Sequence, residues 1–191
     1  MIASLPENTT QLQRIAAGFC WSLDEPRVEV MYRSPVDIYI DEWAHDLMQA
    51  VERTGARRVL VDSLADLRMA AADETRFREF VYSLVQRFSR LDVSIMMTFE
   101  VQDLFEAPRL SDSAVSHLSD NVVLLSYLKG QDSIHRSMAV VKSRASHHEP
   151  GIRQFLIGHD GIVLADGLPI RSVPDIDPQN PASRPATHRD P

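Results

Sequence analysis

The run RRVLVDSL, residues 57 to 64, constrains the fold of this chain more than any other stretch. Its β-branched and apolar residues are contiguous rather than alternating with polar ones, which is the pattern of a parallel strand buried on both faces. The neighbouring segments read as the strands and helices such a strand needs. MIASL at the start reads as a short buried strand, and Asn8 with Gln11 forms a capping-box pattern for a helix carrying Leu12, Ile15, Ala16 and Phe19. RVEVMY (27–32) reads as the next strand. A helix from about Asp41 then places Trp43, Leu47, Ala50 and Val51 on one face, and Gly55 ends it. Asp73 caps a further helix in which Phe77, Phe80, Val81, Leu84, Val85, Phe88 and Leu91 keep helical spacing. VSIMMTFEV (93–101) is another buried strand. The order β-α-β-α-β-α-β predicts an α/β fold, a mainly parallel sheet flanked by helices on both sides.

After a polar loop around 102–118 the pattern changes. NVVLLSYL (121–128), SIHRSMAVVKSRA (133–145) and RQFLIGHDGIVL (153–164) read as strands of hairpins, with HDG as a turn signal. From Leu168 proline recurs without hydrophobic periodicity, which predicts one domain over 1–167 and a flexible Pro-rich tail over 168–191. A length of 191 residues suits one domain with a sizeable core. A net charge of -7 with no basic block disfavours a nucleic-acid surface. Cys20 is the single cysteine and cannot form an internal disulfide, and the first residues show neither a basic leader nor a signal-length apolar run. No apolar run approaches the roughly 20 residues of a membrane span. A cytoplasmic chain without a membrane partner is expected.

Three groups of residues could carry chemistry. Asp62 places a carboxylate at the carboxyl end of the buried parallel strand, where ligands of open α/β sheets lie; the plainer alternative is an aspartate that ends a strand. Glu7 follows the first strand at a second strand-to-helix corner, where it could orient water, or merely favour the positive end of a helix dipole. In VVKSRASHHEPG (140–151), Lys142 and Arg144 project from one side of an extended chain and repel each other, which suits an anion; a solvated surface strand is the alternative. His147 and His148 invite a zinc reading, but adjacent histidines on an extended chain point apart and no second ligand cluster is apparent.

Taken together, RRVLVDSLADL, FREFVYSL, HLSDNVVLLSYL and above all VVKSRASHHEPGIRQFLI resemble KaiC-like ATPases of the RecA superfamily of P-loop NTPases. The resemblance runs from MIASL to GHDGIVL. It implies a RecA-like sheet with C-terminal antiparallel hairpins and a homo-oligomeric, hexameric ring with ATP and Mg²⁺ between neighbours. In that arrangement Asp62 is the Walker B aspartate for Mg²⁺ and Glu7 the catalytic carboxylate. Lys142, Arg144 and His148 reach the phosphates of the adjacent subunit's ATP, so the like charges find their anion on another chain. Signalling or circadian-type regulation is the implied setting.

The chain departs from that family in two places. None of its seven glycines lies in G-x-x-x-x-G-K-[ST], the phosphate-binding Walker A loop, which in the family precedes the point where MIASL begins. The expectation is therefore an incomplete core without the P-loop strand and helix, and weak or absent ATP binding by this chain alone. Where hydrolysing members carry two successive glutamates, this chain has Pro6 and Glu7. Ser116 matches by position a serine that accepts phosphate in autokinase members, with His117 in place of a neighbouring threonine; an ordinary loop serine is the alternative. Two functional readings result. One is an ATP-binding, ATPase or autokinase module completed by a ring or by a P-loop-containing partner. The other is a non-catalytic, degenerate RecA-like domain serving oligomerisation or protein interaction, with the tail as a contact for signalling proteins. A hydrolase built on Ser63 is disfavoured because G-x-S-x-G is absent.

Overall fold

A computed structural model describes residues 1–100, 117–129, 133–144, 147, 151–159 and 161–165. The expected tail, Ser116 and His148 lie outside these. The first unit is a sheet of four parallel strands in the order β2-β1-β3-β4: β1 (Ile2–Ser4), β2 (Val30–Tyr32), β3 (Arg58–Asp62) and β4 (Ser94–Met97). Helix α1 (Thr9–Gly18) joins β1 to β2, and α2 (Ile40–Thr54) joins β2 to β3. Helices α3 (Leu64–Ala70) and α4 (Glu74–Arg90) lie between β3 and β4. The second unit is an antiparallel sheet, β5 (Asn121–Lys129), β6 (Ile134–Ser143), β7 (Arg153–Gly158) and β8 (Gly161–Leu164), paired in chain order. The parallel sheet with helices and the C-terminal hairpins are those predicted.

The helix ends follow from their sequences. Asn8 caps α1 in a full capping box with Gln11, at 3.0 and 2.9 Å. Asp73 caps α4 by accepting from the Arg76 amide at 2.8 Å, and Gly55 at φ 64 terminates α2 in the left-handed region that glycine adopts without strain. The predicted strands pair over shorter spans: 57–64 over Arg58–Asp62, and 93–101 over Ser94–Met97. The difference at β3 is instructive. Leu64 belongs not to the strand but to α3, a seven-residue helix that begins where the Ser63 hydroxyl donates to the Asp66 carboxylate at 2.6 Å.

Stepping from β1 to β2 and from β2 back past β1 to β3 runs in opposite directions across the sheet, so right-handed crossovers put α1 on one face and α2, α3 and α4 on the other. The packing agrees. One buried cluster joins Ala3, Leu5, Val59 and Val61 of the sheet to Trp43, Leu47, Leu67, Phe77, Leu84 and Phe88, and contains no residue of α1. At the opposite end of the strands, the Met1 amine donates to the Arg58 carbonyl at 2.9 Å. Burial pushes that amine below its ordinary value, with the Glu29 carboxylate opposing.

The hairpin sheet meets the first unit at Gly161, whose φ of 103 is accessible to glycine and whose missing Cβ would lie 3.3 Å from the Trp21 ring. Gly161→Ala combines backbone strain with a tight ring contact. It is expected to cost about 1–3 kcal/mol in urea unfolding, accompanied by altered Trp21 fluorescence; an unchanged midpoint would refute this account of the contact.

Candidate functional site

The carboxyl ends of the parallel strands carry a transverse polar row. Register places Ser4 beside Tyr32 on one side and Asp62 on the other, and Thr98 follows β4 beside Asp62. The Thr98 hydroxyl donates to Asp62 Oδ1. Backbone bonds lock the same corner: the Leu5 amide donates to the Asp62 carbonyl at 2.8 Å, the Thr98 amide to the Val61 carbonyl at 3.0 Å, and the Leu64 amide to the Thr98 carbonyl at 2.9 Å. Asp62 is half-buried and so is held in one orientation with an oxygen available at the sheet's carboxyl edge.

Ser4 is 1% exposed, and its hydroxyl has no hydrogen-bond partner among the described residues. A buried polar atom without a partner costs about 1–3 kcal/mol, so its placement in the row beside a carboxylate is more than packing requires. Glu7 is half-buried at the turn between β1 and α1, immediately before the Asn8 cap, and makes no ion pair among the described residues. The structure places Asp62 at the end of β3 and Glu7 in the turn after β1, two parallel strands. It adds Ser4 and Thr98, which sequence reasoning counted as body of the strands MIASL and VSIMMTFEV.

The basic residues sit in the other sheet. Lys142 is half-buried opposite Val122, and the register between β5 and β6 shifts between Val122 and Val123, so Val141 is the extra residue of a bulge. Arg144 stands just beyond β6. Its amide donates to the Asp120 carbonyl at 3.0 Å, and its guanidinium donates to the His117 carbonyl at 3.0 Å and meets the Asp120 carboxylate at 3.4 Å. Arg144 thereby fastens the turn that precedes β5 while remaining exposed. His147 is exposed.

Neither of two concavities lined by described residues includes Asp62 or Glu7. The larger, about 570 Å³, opens between α4 and the His117–Leu118 turn. Its cations are engaged: Arg76 Nη2 donates to both carboxylate oxygens of Asp41 at 2.6 Å, and Arg78 lies 3.7 Å from Glu74. Among the described residues no three His, Cys, Asp or Glu side chains converge as a metal set. Asp62, a lone carboxylate among hydroxyls, fits a Mg²⁺ that keeps water and phosphate oxygens as its other ligands.

A profile of the family described as "ATPase: KaiC" matches residues 7–168. The chain belongs to the KaiC ATPase family. It is similar to the circadian clock protein KaiC3 of Synechocystis sp., 27% identical over 182 residues that make up 92% of this chain and 35% of that protein. The circadian clock oscillator protein KaiC 1 of the same organism is 24% identical over 85% of this chain and 32% of its own length. The chain thus spans about a third of these curated relatives. The crystal structure of a KaiC-like protein from Pyrococcus horikoshii superposes with a TM-score of 0.72 at 22% identity, covering 86% of this chain and 74% of that one, and shares its fold. No helix of the described residues is long and apolar enough to cross a membrane.

Proposed function

We propose that this chain is the portion of a KaiC-type nucleotide-binding module that carries the Mg²⁺ and water-activating carboxylates, and that it acts in an oligomer with ATP at subunit interfaces. The observation that carries the reading is the orientation of Asp62 by Thr98 at the carboxyl edge of a parallel sheet, beside Ser4. Asp62 holds a water or oxygen ligand of the cation. Glu7 accepts a proton from the attacking water or hydroxyl. Asp62 would hold Mg²⁺ there, and the cation when bound would supply positive charge toward a transferred phosphoryl group. Lys142 and Arg144, with His148, stabilise the same charge on the neighbouring subunit's nucleotide, and Arg144 stays pre-oriented by the His117–Asp120 turn. Ser116 is the candidate phosphoacceptor if the module is an autokinase. The cytoplasm is the proposed location and other ring subunits or signalling proteins the proposed partners, within a signalling or circadian-type role.

A second reading, a non-catalytic interaction domain, rests on Pro6, which by the resemblance stands where hydrolysing members carry a first glutamate. Calorimetric titration with ATP and Mg²⁺ separates the readings. The isolated chain is expected to bind ATP weakly, and any binding is expected to disappear in an Asp62→Ala, Lys142→Ala double variant. Tight binding that survives both substitutions would overturn the assigned roles.

A further inference from the structure

Ala3, Leu5, Val59 and Val61 pack into the cluster with α2, α3 and α4. Alternation along β1 and β3 therefore sends Ser4 and Asp62 to the opposite side of the sheet, the side of α1. Thr98, one residue beyond the Met97–Val61 pair, stands on that side as well. Asp62 is thus flanked by two hydroxyls, and they behave differently. Thr98 donates to Oδ1. Ser4 is side by side with Asp62 in register, yet its buried hydroxyl bonds neither to that carboxylate nor to any other described group. Oδ2 of Asp62 likewise has no partner among the described residues. A serine kept for packing alone would close a bond to the carboxylate beside it, because an unpaired buried hydroxyl is destabilising and a neighbouring acceptor removes the penalty. Both groups are instead left for a third.

A group that satisfies both must donate twice, once to Oδ2 and once to Ser4 Oγ, and water is the smallest that does so. A water polarised by a cation donates more strongly than a free one, and a lone carboxylate suits a cation that keeps most of its water. We infer that Ser4 is a positioning residue of the cation site and sets its specificity: the hydroxyl accepts a hydrogen bond from a water in the shell of Mg²⁺, and the same water donates to Asp62 Oδ2. The inference rests on the cation role proposed for Asp62 and deepens it. Mg²⁺ sheds water reluctantly, whereas Ca²⁺ takes direct oxygen ligands in flexible geometry. A hydroxyl that holds a shell water therefore favours Mg²⁺ over Ca²⁺. Thr98 orients the carboxylate, and Ser4 holds what the carboxylate binds. In the cation-free chain the hydroxyl stays unpaired, so it contributes to ligand binding at the expense of the fold.

The test is amide NMR of the 191-residue chain, titrated separately with MgCl₂ and CaCl₂ at constant ionic strength, together with urea unfolding in EDTA. The reporters are the Leu5 and Thr98 amides, which bond at this corner. Asp62→Asn is expected to remove the Mg²⁺-dependent shifts at both. Ser4→Ala is expected to raise the Mg²⁺ dissociation constant about tenfold, the loss of one charge-assisted hydrogen bond. The Ca²⁺ constant should change less than about twofold. The urea midpoint should move upward, because the substitution removes an unpaired buried hydroxyl. An unchanged Mg²⁺ constant, or an equal loss for both cations, would overturn the inference and leave Asp62 as a cation ligand. A lower urea midpoint would overturn it too, since the hydroxyl would then have a partner in the cation-free fold. Shifts that persist in Asp62→Asn, or no shifts in the native chain, would overturn the cation role of Asp62 and the inference with it.

Discussion

Replacing Trp43 by alanine is expected to lower the unfolding free energy by about 3–5 kcal/mol. Trp43 is 2% exposed on α2, its ring centroid 6.3 Å from that of Phe80 on α4, and it belongs to the cluster that fixes both helices to β1 and β3. Removing it deletes the transfer energy of an indole and leaves a cavity that two packed helices cannot close. Domains of this size have about 5–15 kcal/mol in total, so the variant sits close to unfolding at room temperature. Urea unfolding followed by circular dichroism is the appropriate measurement, since the substitution also removes the buried fluorophore. Trp43→Phe, which keeps a ring against Phe80, is expected to lose markedly less. A loss below about 1 kcal/mol for Trp43→Ala, the range of ordinary surface changes, would mean that α2 and α4 do not share this core.

The same layer explains what the sequence made legible. α2 and α4 each run long enough for apolar spacing to repeat, and most residues the spacing selects are buried: Trp43, Leu47 and Val51, then Phe77, Phe80, Val81, Leu84 and Phe88; Ile40 and Ala44 are buried besides, and Leu91, expected in the stripe of α4, is exposed just past its end. α3 is too short for periodicity to show, and its sign is local instead, the serine and aspartate three residues apart at Ser63 and Asp66 that precede and open it. Strand lengths were overread for a related reason. An apolar run records burial, whereas pairing requires a neighbour in register, and β1 supplies only Ile2–Ser4.

The candidate site divides along the same line. Asp62 and Glu7 are readable because one closes a recognisable strand and the other follows one just before a capping box. Ser4 and Thr98 are not, because their place beside Asp62 depends on the register of strands far apart in sequence. Their common signal, a hydroxyl residue at the carboxyl end of each strand flanking β3, emerges only once the strand order is known. Alternation leaves Arg144 as either anion-facing or solvated, and only the family resemblance points it to phosphate; its bonds to His117 and Asp120 add a role in holding the turn before β5.

Those bonds at Asp62 allow its chemical role to be separated from its structural one. In the oligomer proposed for this chain, Asp62→Asn is expected to remove most of the gain in ATP affinity that Mg²⁺ confers, about a hundredfold if that cation contact is worth near 3 kcal/mol. The measurement is the ratio of ATP dissociation constants in EDTA and in Mg²⁺, taken for the native and substituted chains. Asparagine keeps a carbonyl oxygen that can accept from the Thr98 hydroxyl, and the backbone bonds from Leu5, Thr98 and Leu64 do not involve the side chain. Unfolding should therefore change by less than about 1 kcal/mol, so that loss of the Mg²⁺ effect is not loss of the fold. Thr98→Val provides the intermediate case: it leaves the carboxylate charged but releases its orientation, and should weaken the Mg²⁺ effect without eliminating it. If Asp62→Asn keeps the native ratio, Asp62 is a strand-ending residue whose interaction with Thr98 is structural. The non-catalytic reading would then be the better account of the chain.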